Sequence, residues 1–238
     1  MSVFRFREFN ITQSENPLKV GTDSMLLGSL IDSSKATHAL DIGAGTGVLS
    51  LMVLQTNPTV LIDAVEIHPE AAKECALNFH NSPWADRTHV HETDFLNFQG
   101  QGKYDLIFTN PPFYLDGLKS GNPSIDQAKH IRPEVFRRWM EKTHELLTEN
   151  GLFYVIMPFA HSDFLQQITY ECQLHLMQQI TIHATAEKLN SRIIAVFSKE
   201  KKDKLVSSFT IREINGKYTK EYVALTAAFH HTDLSAKN

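Results

Sequence analysis

Three alternating glycines, in the run Gly43-Ala44-Gly45-Thr46-Gly47, constrain the fold of this 238-residue chain more than any other feature of its sequence. A short apolar segment, 38–42, precedes the run, and a helix candidate, 48–55, follows it directly. Glycines at such a place let the backbone turn sharply and approach a ligand without interference from a Cβ atom. The pattern therefore predicts a strand, a tight turn and a helix, the first unit of a parallel α/β sheet with a ligand at the turn.

Similar units follow along the chain, because apolar runs bounded by turn residues alternate with amphipathic stretches. The predicted strands are 38–42, 60–65, 88–92, 104–109, 152–157, 174–182 and 193–198, of which the last two can form a hairpin. The predicted helices between them are 48–55, 69–78, 133–147 and 162–171, and we expect the third to end at Gly151. A helix around 23–31 precedes the first strand, and a strand at 208–214, a turn at Gly216 and a helix at 219–229 follow the last one.

The composition is that of an ordinary globular protein, with 42% hydrophobic and 21% charged residues. No apolar run is long enough to span a bilayer, and the N-terminal residues lack the apolar block of a signal peptide. Cys75 and Cys172 lie far apart in the sequence, which predicts neither a disulfide framework nor a zinc ribbon. His89 and His91 share a strand face without a third ligand, so we expect solvent-exposed histidines and no metal.

These features together predict one α/β domain. We expect residues 1–35 to form a short N-terminal segment that packs on a core of residues 36–238. We also expect the protein to be cytoplasmic and to act as a monomer.

The spacing of the glycines separates two classes of cofactor. A dinucleotide-binding turn follows the pattern GxGxxG, which would place its third glycine at position 48, where this chain has valine. The spacing GxGxG, with Asp41 two residues before the first glycine, resembles motif I of the class I methyltransferases. That resemblance implies a Rossmann-like, seven-stranded and mostly parallel sheet with helices on both faces. It also implies S-adenosyl-L-methionine as the cofactor, bound by Asp41, Gly43, Gly45 and Gly47.

Acidic residues also follow the next two predicted strands. Glu66 stands at the end of the second strand, where a carboxylate can accept both hydroxyls of a ribose. Asp94 follows the third strand, and on its own an aspartate there is most simply a helix or turn cap. In class I methyltransferases an acidic residue at this place meets the adenine amino group of the cofactor, so the resemblance gives Asp94 that role. It likewise implies that Phe95 and Ile67 pack on the two faces of the adenine ring.

The tetrad Asn110-Pro111-Pro112-Phe113 follows the fourth predicted strand, at the sheet edge where open α/β folds bind their ligands. An amino nitrogen conjugated with an aromatic ring is a poor nucleophile because its lone pair is delocalised. Two acceptors on its N–H bonds, the Asn110 side-chain oxygen and the Pro111 carbonyl, would free the lone pair and stabilise the positive charge that develops. Phe113 offers a ring face for stacking a planar base. The tetrad predicts methylation of an exocyclic amino group, with Asn110 also beside the cofactor.

Enzymes that methylate adenine, guanine N2 or glutamine share this tetrad, so the tetrad alone leaves the substrate open. Three further segments resemble the bacterial tRNA adenine N6-methyltransferase family, which modifies adenine 37 of a valine tRNA. They are Phe4-Arg-Phe-Arg-Glu-Phe9, Lys19-Val-Gly-Thr-Asp23-Ser-Met-Leu-Leu-Gly28 and Tyr218-Thr-Lys-Glu-Tyr222-Val-Ala-Leu-Thr226-Ala-Ala-Phe229. The resemblance implies tRNA as the partner. Open alternatives are guanine N2-methylation of ribosomal RNA, glutamine N5-methylation of a protein, and a non-catalytic RNA-binding module.

The charge pattern gives mixed indications about an RNA partner. The net charge of −4 argues mildly against one, because neutralising phosphates requires Lys and Arg. Residues 186–238, however, contain ten Lys and Arg against six Asp and Glu, a net charge of +4. The segment 114–132, with Lys119, Lys129, His130 and Arg132, can contact the RNA backbone or form a substrate lid. Residues 19–23 can close over the entrance to the site, or Asp23 can serve as a helix N-cap.

Overall fold

The computed structural model describes residues 2–13, 21–100, 102–111, 133–188, 191–232 and 234. Within them the strands are β1 (Ser2–Arg5), β2 (Asn10–Gln13), β3 (His38–Ile42), β4 (Leu61–Glu66), β5 (Thr88–Glu92), β6 (Tyr104–Thr109), β7 (Leu147–Pro158), β8 (His175–Thr185), β9 (Arg192–Ser198) and β10 (Leu205–Arg212). The helices are α1 (Thr22–Leu30), α2 (Val48–Thr56), α3 (Pro69–His80), α4 (Pro133–Leu146), α5 (Ser162–Glu171) and α6 (Lys220–Thr226). The predicted alternation of strands and helices is confirmed. None of the described helices is long and apolar enough to cross a membrane.

Strands β3 to β10 form one sheet in the order β10-β8-β9-β7-β6-β3-β4-β5. The strands from β3 to β7 run parallel to one another, and β9 lies antiparallel between β7 and β8, which confirms the predicted hairpin. The order reverses at β3, because β4 and β5 lie on one side of it and β6 and β7 on the other. Ligands of open α/β sheets bind at such a switch point, outside the carboxyl ends of the strands.

The sheet has eight strands rather than the predicted seven. The β8–β9 hairpin leaves the outer edge of β8 open, and the late strand β10 pairs with that edge in parallel. The alternating sequence predicts the existence of this strand at 208–214 but not its pairing partner, because pairing depends on residues far away along the chain.

Helices cover both faces of the sheet, as predicted. Successive side chains of a strand point to opposite faces, and in β6 Leu106 and Phe108 join one apolar core whereas Ile107 joins the other. Helices α1, α2, α3 and α6 contribute to the first core, and α4 and α5 contribute to the second. A strand that is buried on both faces needs a nearly continuous apolar sequence, which explains the runs from which these strands were predicted.

The N-terminal hairpin of β1 and β2 packs on the first core through Phe6, Phe9 and Ile11. Asn78 of α3 fastens it, because its Oδ1 accepts a hydrogen bond from the Thr12 N–H (2.8 Å) and its Nδ2 donates to the Thr12 carbonyl (3.0 Å). The same Nδ2 donates to the carbonyl of Thr46 over 2.9 Å. One buried amide therefore joins the hairpin to the glycine turn.

The expectation that Gly151 ends a helix is wrong. Helix α4 ends at Leu146, and Gly151 lies inside β7 without a positive φ. The pairing of β7 with β6 is irregular here, since Leu147 pairs with Tyr104 but Leu152 pairs with Leu106. A Cβ atom at position 151 would lie 2.7 Å from the Leu147 side chain, so close packing inside this irregular strand explains the glycine.

Candidate active site

The glycine turn joins the carboxyl end of β3 to α2 with three residues in the left-handed region. Gly43, Gly45 and Gly47 have φ values of +70°, +57° and +78°, which other residues adopt only with strain. The N–H groups of Gly43 and Ala44 donate to the carbonyl of Val65, over 2.8 and 3.1 Å. The turn is thereby held against the end of β4.

The three glycines differ in what surrounds them. A Cβ atom added at Gly43 or Gly45 would meet no atom within 4 Å, so both positions face open space. At Gly47 it would lie 2.6 Å from Phe79 Cε1 and 2.9 Å from Cys75 Sγ. Gly43 and Gly45 therefore offer the backbone to a ligand, whereas Gly47 lets α2 pack closely on α3.

Glu66, at the end of β4, supports the glycine turn from below. Its Oε2 accepts a hydrogen bond from the Gly45 N–H (2.8 Å), and its Oε1 accepts one from the His68 N–H (2.9 Å). The side chain is buried, with 4% of its surface exposed. Each carboxylate oxygen has a second lone pair, so both remain able to accept a hydroxyl group. The neighbouring Ile67 is 54% exposed and offers an apolar surface at the same strand end.

Asp41 lies buried beneath the turn, with 1% of its surface exposed. Its Oδ2 accepts a hydrogen bond from Ser50 Oγ (2.7 Å), but its Oδ1 is buried and has no hydrogen-bond partner among the described residues. Loss of hydration raises the pKa of Asp41 to about 7, and the negative charge of Glu66 acts in the same direction. A buried acceptor without a donor, next to backbone that faces open space, fits a ligand that carries a positive charge or N–H groups.

Asp94 and Phe95 follow β5 in a short 3₁₀ helix. Asp94 Oδ1 accepts a hydrogen bond from the Leu96 N–H over 2.9 Å, so this residue caps the 3₁₀ helix. Phe95 is 3% exposed, and its ring lies edge-on to that of Trp139 at 5.6 Å between centroids. Contact of Asp94 and Phe95 with the adenine ring of the cofactor stays a prediction. Ile67 is more exposed than Phe95 and offers a larger apolar surface to such a ring.

Asn110 follows the last residue of β6, directly beside the glycine turn. Thr109 pairs with Ile42 in the sheet, and its Oγ1 donates to the Ile42 carbonyl over 2.7 Å. Asn110 and Gly43 therefore follow paired residues of neighbouring strands. The Asn110 Nδ2 donates to Ser24 Oγ of α1 (3.1 Å), whereas its Oδ1 makes no hydrogen bond with any other described residue. Among the described residues, the amide oxygen therefore has no partner at this edge of the sheet, beside the glycine turn.

The N-terminal end of α1 also reaches this edge. Gly21 is the N-cap of α1, so the interpretation of Asp23 as an N-cap is wrong. The Asp23 carboxylate instead forms an ion pair with Arg192 Nε at the start of β9, over 2.9 Å. The sequence pattern contained no indication of this pair or of the contact between Ser24 and Asn110, although Ser24 stands inside the motif that resembles the tRNA methyltransferase family. Lys19, Phe113 and the segment 114–132 lie outside the described residues.

The expectation that both strand histidines are solvent-exposed is wrong. His89 is exposed, but His91 is half-buried and its Nε2 lies 2.7 Å from Asp63 Oδ1. Tyr104 donates its hydroxyl to the other oxygen of Asp63 over 2.8 Å. Asp63 therefore has structural partners on β5 and β6. In the described part of the chain, no group of three or more metal-ligating side chains is found.

Comparison with known proteins gives the fold and the family. Residues 13–121, which include the glycine turn and the tetrad, match the family model of the methyltransferase small domain. Among solved structures, a predicted O-methyltransferase from Agrobacterium tumefaciens superimposes with a TM-score of 0.68 at 16% identity, covering 87% of this chain and 96% of its own. A ribosomal protein L11 methylase from Lactobacillus delbrueckii subsp. bulgaricus gives a TM-score of 0.55 at 16% identity, with 75% and 77% covered. These similarities confirm the class I methyltransferase fold.

Sequence relatives are much closer than the solved structures. The tRNA1(Val) (adenine(37)-N6)-methyltransferase of Flavobacterium psychrophilum is 35% identical over 231 residues, covering 96% of this chain and 99% of its own. The protein of the same name from Escherichia coli O1:K1 is 33% identical, with 95% and 94% covered. Because this identity extends over almost the full length of both chains, the chain belongs to the family of the tRNA1(Val) (adenine(37)-N6)-methyltransferases.

Proposed function

We propose that the protein transfers the methyl group of S-adenosylmethionine to the N6 amino group of adenine 37 in a valine tRNA. The observation that carries the proposal is the position of Asn110 beside the glycine turn, where its amide oxygen has no partner among the described residues. An acceptor at this place serves methylation of an amino group, because the N–H bonds of that group need partners as its nitrogen becomes positive. The names of the full-length relatives supply the particular base and RNA.

The residues of the turn fit the proposed cofactor. The backbone at Gly43 and Gly45 faces open space, and the free Oδ1 of Asp41 lies beneath it. In the complex, these residues would hold the methionine part, Glu66 the ribose hydroxyls, and Ile67 with Asp94 the adenine. When bound, S-adenosylmethionine supplies a methyl group on a positively charged sulfur, which makes a separate activating group unnecessary.

The chain's own contribution to the reaction is positioning and hydrogen bonding. Asn110 Oδ1 and the Pro111 carbonyl would each accept one N–H of the target amine, which draws its lone pair away from the ring and toward the methyl group. These bonds strengthen as charge develops on nitrogen, so they stabilise the transition state more than the bound substrate. The methylated nitrogen then loses its extra proton readily. In-line alignment of the two reactants supplies much of the remaining rate.

Two lysines at the edge of the sheet that carries Asn110 support a proposed path for the RNA backbone. Strands β6, β7, β8 and β10 all end at the edge that carries Asn110. The exposed Lys188 follows β8 and the exposed Lys217 follows β10 at this edge, in turns closed by backbone hydrogen bonds. Residues 199–204, with four lysines, connect β9 to β10 at the opposite edge. We propose that the first pair contacts RNA. Lys188 follows a strand about 14 Å from β6, at three strand spacings, and Lys217 follows one about 19 Å away, at four.

Methyl transfer to defined tRNA transcripts tests the proposed function. Purified protein is incubated with labelled cofactor and with a valine tRNA that carries adenine or guanine at position 37. We expect N6-methyladenosine in the first transcript and no label in the second. Parallel reactions offer ribosomal RNA or a protein mixture instead of the transcripts, and label in guanine N2 or in a glutamine side chain there, with none in the adenine transcript, would overturn the proposal in favour of that substrate.

A further inference from the structure

The amide group of Asn110 has two ends of nearly equal shape, and only one of them can accept a hydrogen bond. Its Nδ2 donates to Ser24 Oγ over 3.1 Å, which anchors one end of the amide. A hydroxyl can also donate, so this bond fixes the place of the amide, and the N–H of a bound amine selects Oδ1 as the end that faces it. Ser24 is itself buried, with 9% of its surface exposed. A rotation of the amide by half a turn would aim two N–H donors at the target amine, which has N–H donors of its own.

Ser24 is held in place from two sides. It lies in the first turn of α1, whose residues Met25, Leu26 and Leu27 are buried in the first core. The preceding residue, Asp23, is paired with Arg192 at the start of β9. The position of the Ser24 hydroxyl therefore depends on the packing of α1 and on an ion pair with the sheet, and not on the flexibility of an exposed loop.

We propose that Ser24 is a positioning residue for methyl transfer. By accepting a hydrogen bond from Asn110 Nδ2, it holds the amide in place, so that Oδ1 can accept an N–H of the substrate's amino group. The inference rests on the proposed function only in requiring an amino group as the methyl acceptor. Neither the cofactor residues nor the tetrad includes Ser24, and it acts on the reaction through Asn110 alone.

The test uses Ser24→Ala, Ser24→Thr and a matched control, Ser29→Ala. Ser29 lies on the same helix, and its Oγ has no hydrogen-bond partner among the described residues. We expect Ser24→Ala to lower kcat on the order of tenfold, the effect of losing one hydrogen bond in the transition state. The KM for tRNA and the affinity for S-adenosylhomocysteine should stay within about twofold of wild type. Ser24→Thr keeps the hydroxyl and should restore most of kcat, and Ser29→Ala should leave kcat unchanged.

A double-mutant cycle separates positioning from a general structural role. In the Asn110→Ala background, Ser24→Ala should have no further effect on kcat, because the side chain that it positions is gone. A fully folded Ser24→Ala variant with the wild-type kcat would overturn the inference, and so would additive effects of the two substitutions. The thermal midpoint of each variant shows whether it is folded.

The two proposals fail separately. If the wild-type protein methylates guanine or glutamine instead of adenine, the proposed function is wrong. The same Ser24 variants assayed on that amine still decide the present inference, since an amino group on any of these substrates needs the same orientation of Asn110.

Discussion

The N–H of Gly45 donates to Glu66 Oε2 over 2.8 Å, and this bond joins the ligand-facing turn to the end of the neighbouring strand. The second oxygen of Glu66 is also engaged, since it accepts from the His68 N–H. One carboxylate thus fixes the shape of the turn on one side and the path of the chain into α3 on the other. A side chain with two acceptor oxygens is required at this position.

Glu66→Gln should therefore weaken cofactor binding. Glutamine keeps the size of the side chain but replaces one acceptor by an NH₂ group, which would face a backbone N–H. We expect the affinity for S-adenosylhomocysteine to fall by about tenfold or more, the effect of one lost charge-assisted hydrogen bond. Isothermal titration calorimetry measures it. Glu92→Gln, at the exposed residue that pairs with Glu66 in the sheet, is the matched control, and equal affinities for the two variants would contradict this role.

The stability of the ligand-free protein should depend on the ionisation of Asp41. Its pKa is about 7 in the folded protein and near 3.8 in the unfolded chain, so the folded state binds the proton more tightly. The free energy of unfolding should consequently fall as the pH rises from about 4 to 7 and then level off. Asn replaces the carboxyl group without a titrating proton. Urea denaturation at a series of pH values should show that the free energy of unfolding of Asp41→Asn rises relative to that of wild type over this range. A difference between the two free energies that does not change with pH would contradict the raised pKa of Asp41.

Alanine substitutions should separate the glycines that face the ligand from the one that packs. Gly43→Ala adds only backbone strain from a positive φ, which costs about 1–2 kcal/mol. Gly47→Ala adds the same strain and a clash with Phe79, for a total of about 2–5 kcal/mol. Chemical denaturation of the ligand-free variants should therefore rank Gly47→Ala as the less stable. If the two variants are equally stable, close packing does not explain Gly47.

Lysines at the two edges of the sheet should differ in their effect on RNA binding. We expect the double variant Lys188→Glu/Lys217→Glu to raise the KM for tRNA about tenfold or more at low salt, because it replaces attraction to phosphates by repulsion. Lys201→Glu/Lys204→Glu makes the same change of charge at the opposite edge and should leave the KM close to wild type. Both variants should bind S-adenosylhomocysteine normally. Equal increases in KM would show that the RNA does not lie specifically along the edge that carries Asn110.

The sequence predicts the parts of this structure that depend on local patterns. Apolar periodicity and turn residues gave β3, β5, β6 and α5 at their observed residues, because each pattern reflects burial of the element itself. The glycine turn and the tetrad were also predicted from local patterns, and both follow strands at the switch point of the sheet.

Local patterns do not predict contacts between residues that lie far apart in the sequence. Ser24 and Asn110 are separated by 86 positions, and Asp23 and Arg192 by 169. Neither pair has a periodicity, and each depends on how α1 is placed on the assembled sheet. The same reason applies to the pairing of β10 and to His91, whose partner Asp63 lies on the adjacent strand.

The single-turnover rate of the Asn110→Ala variant tests whether Asn110 stabilises the transition state of methyl transfer. The reaction is followed with saturating protein and cofactor and with labelled tRNA, so that product release does not limit the rate. We expect a rate lower than that of wild type on the order of 10²-fold or more, with the affinity for S-adenosylhomocysteine nearly intact, since only a transition-state partner is removed. A variant that turns over at the wild-type rate would contradict this role of Asn110.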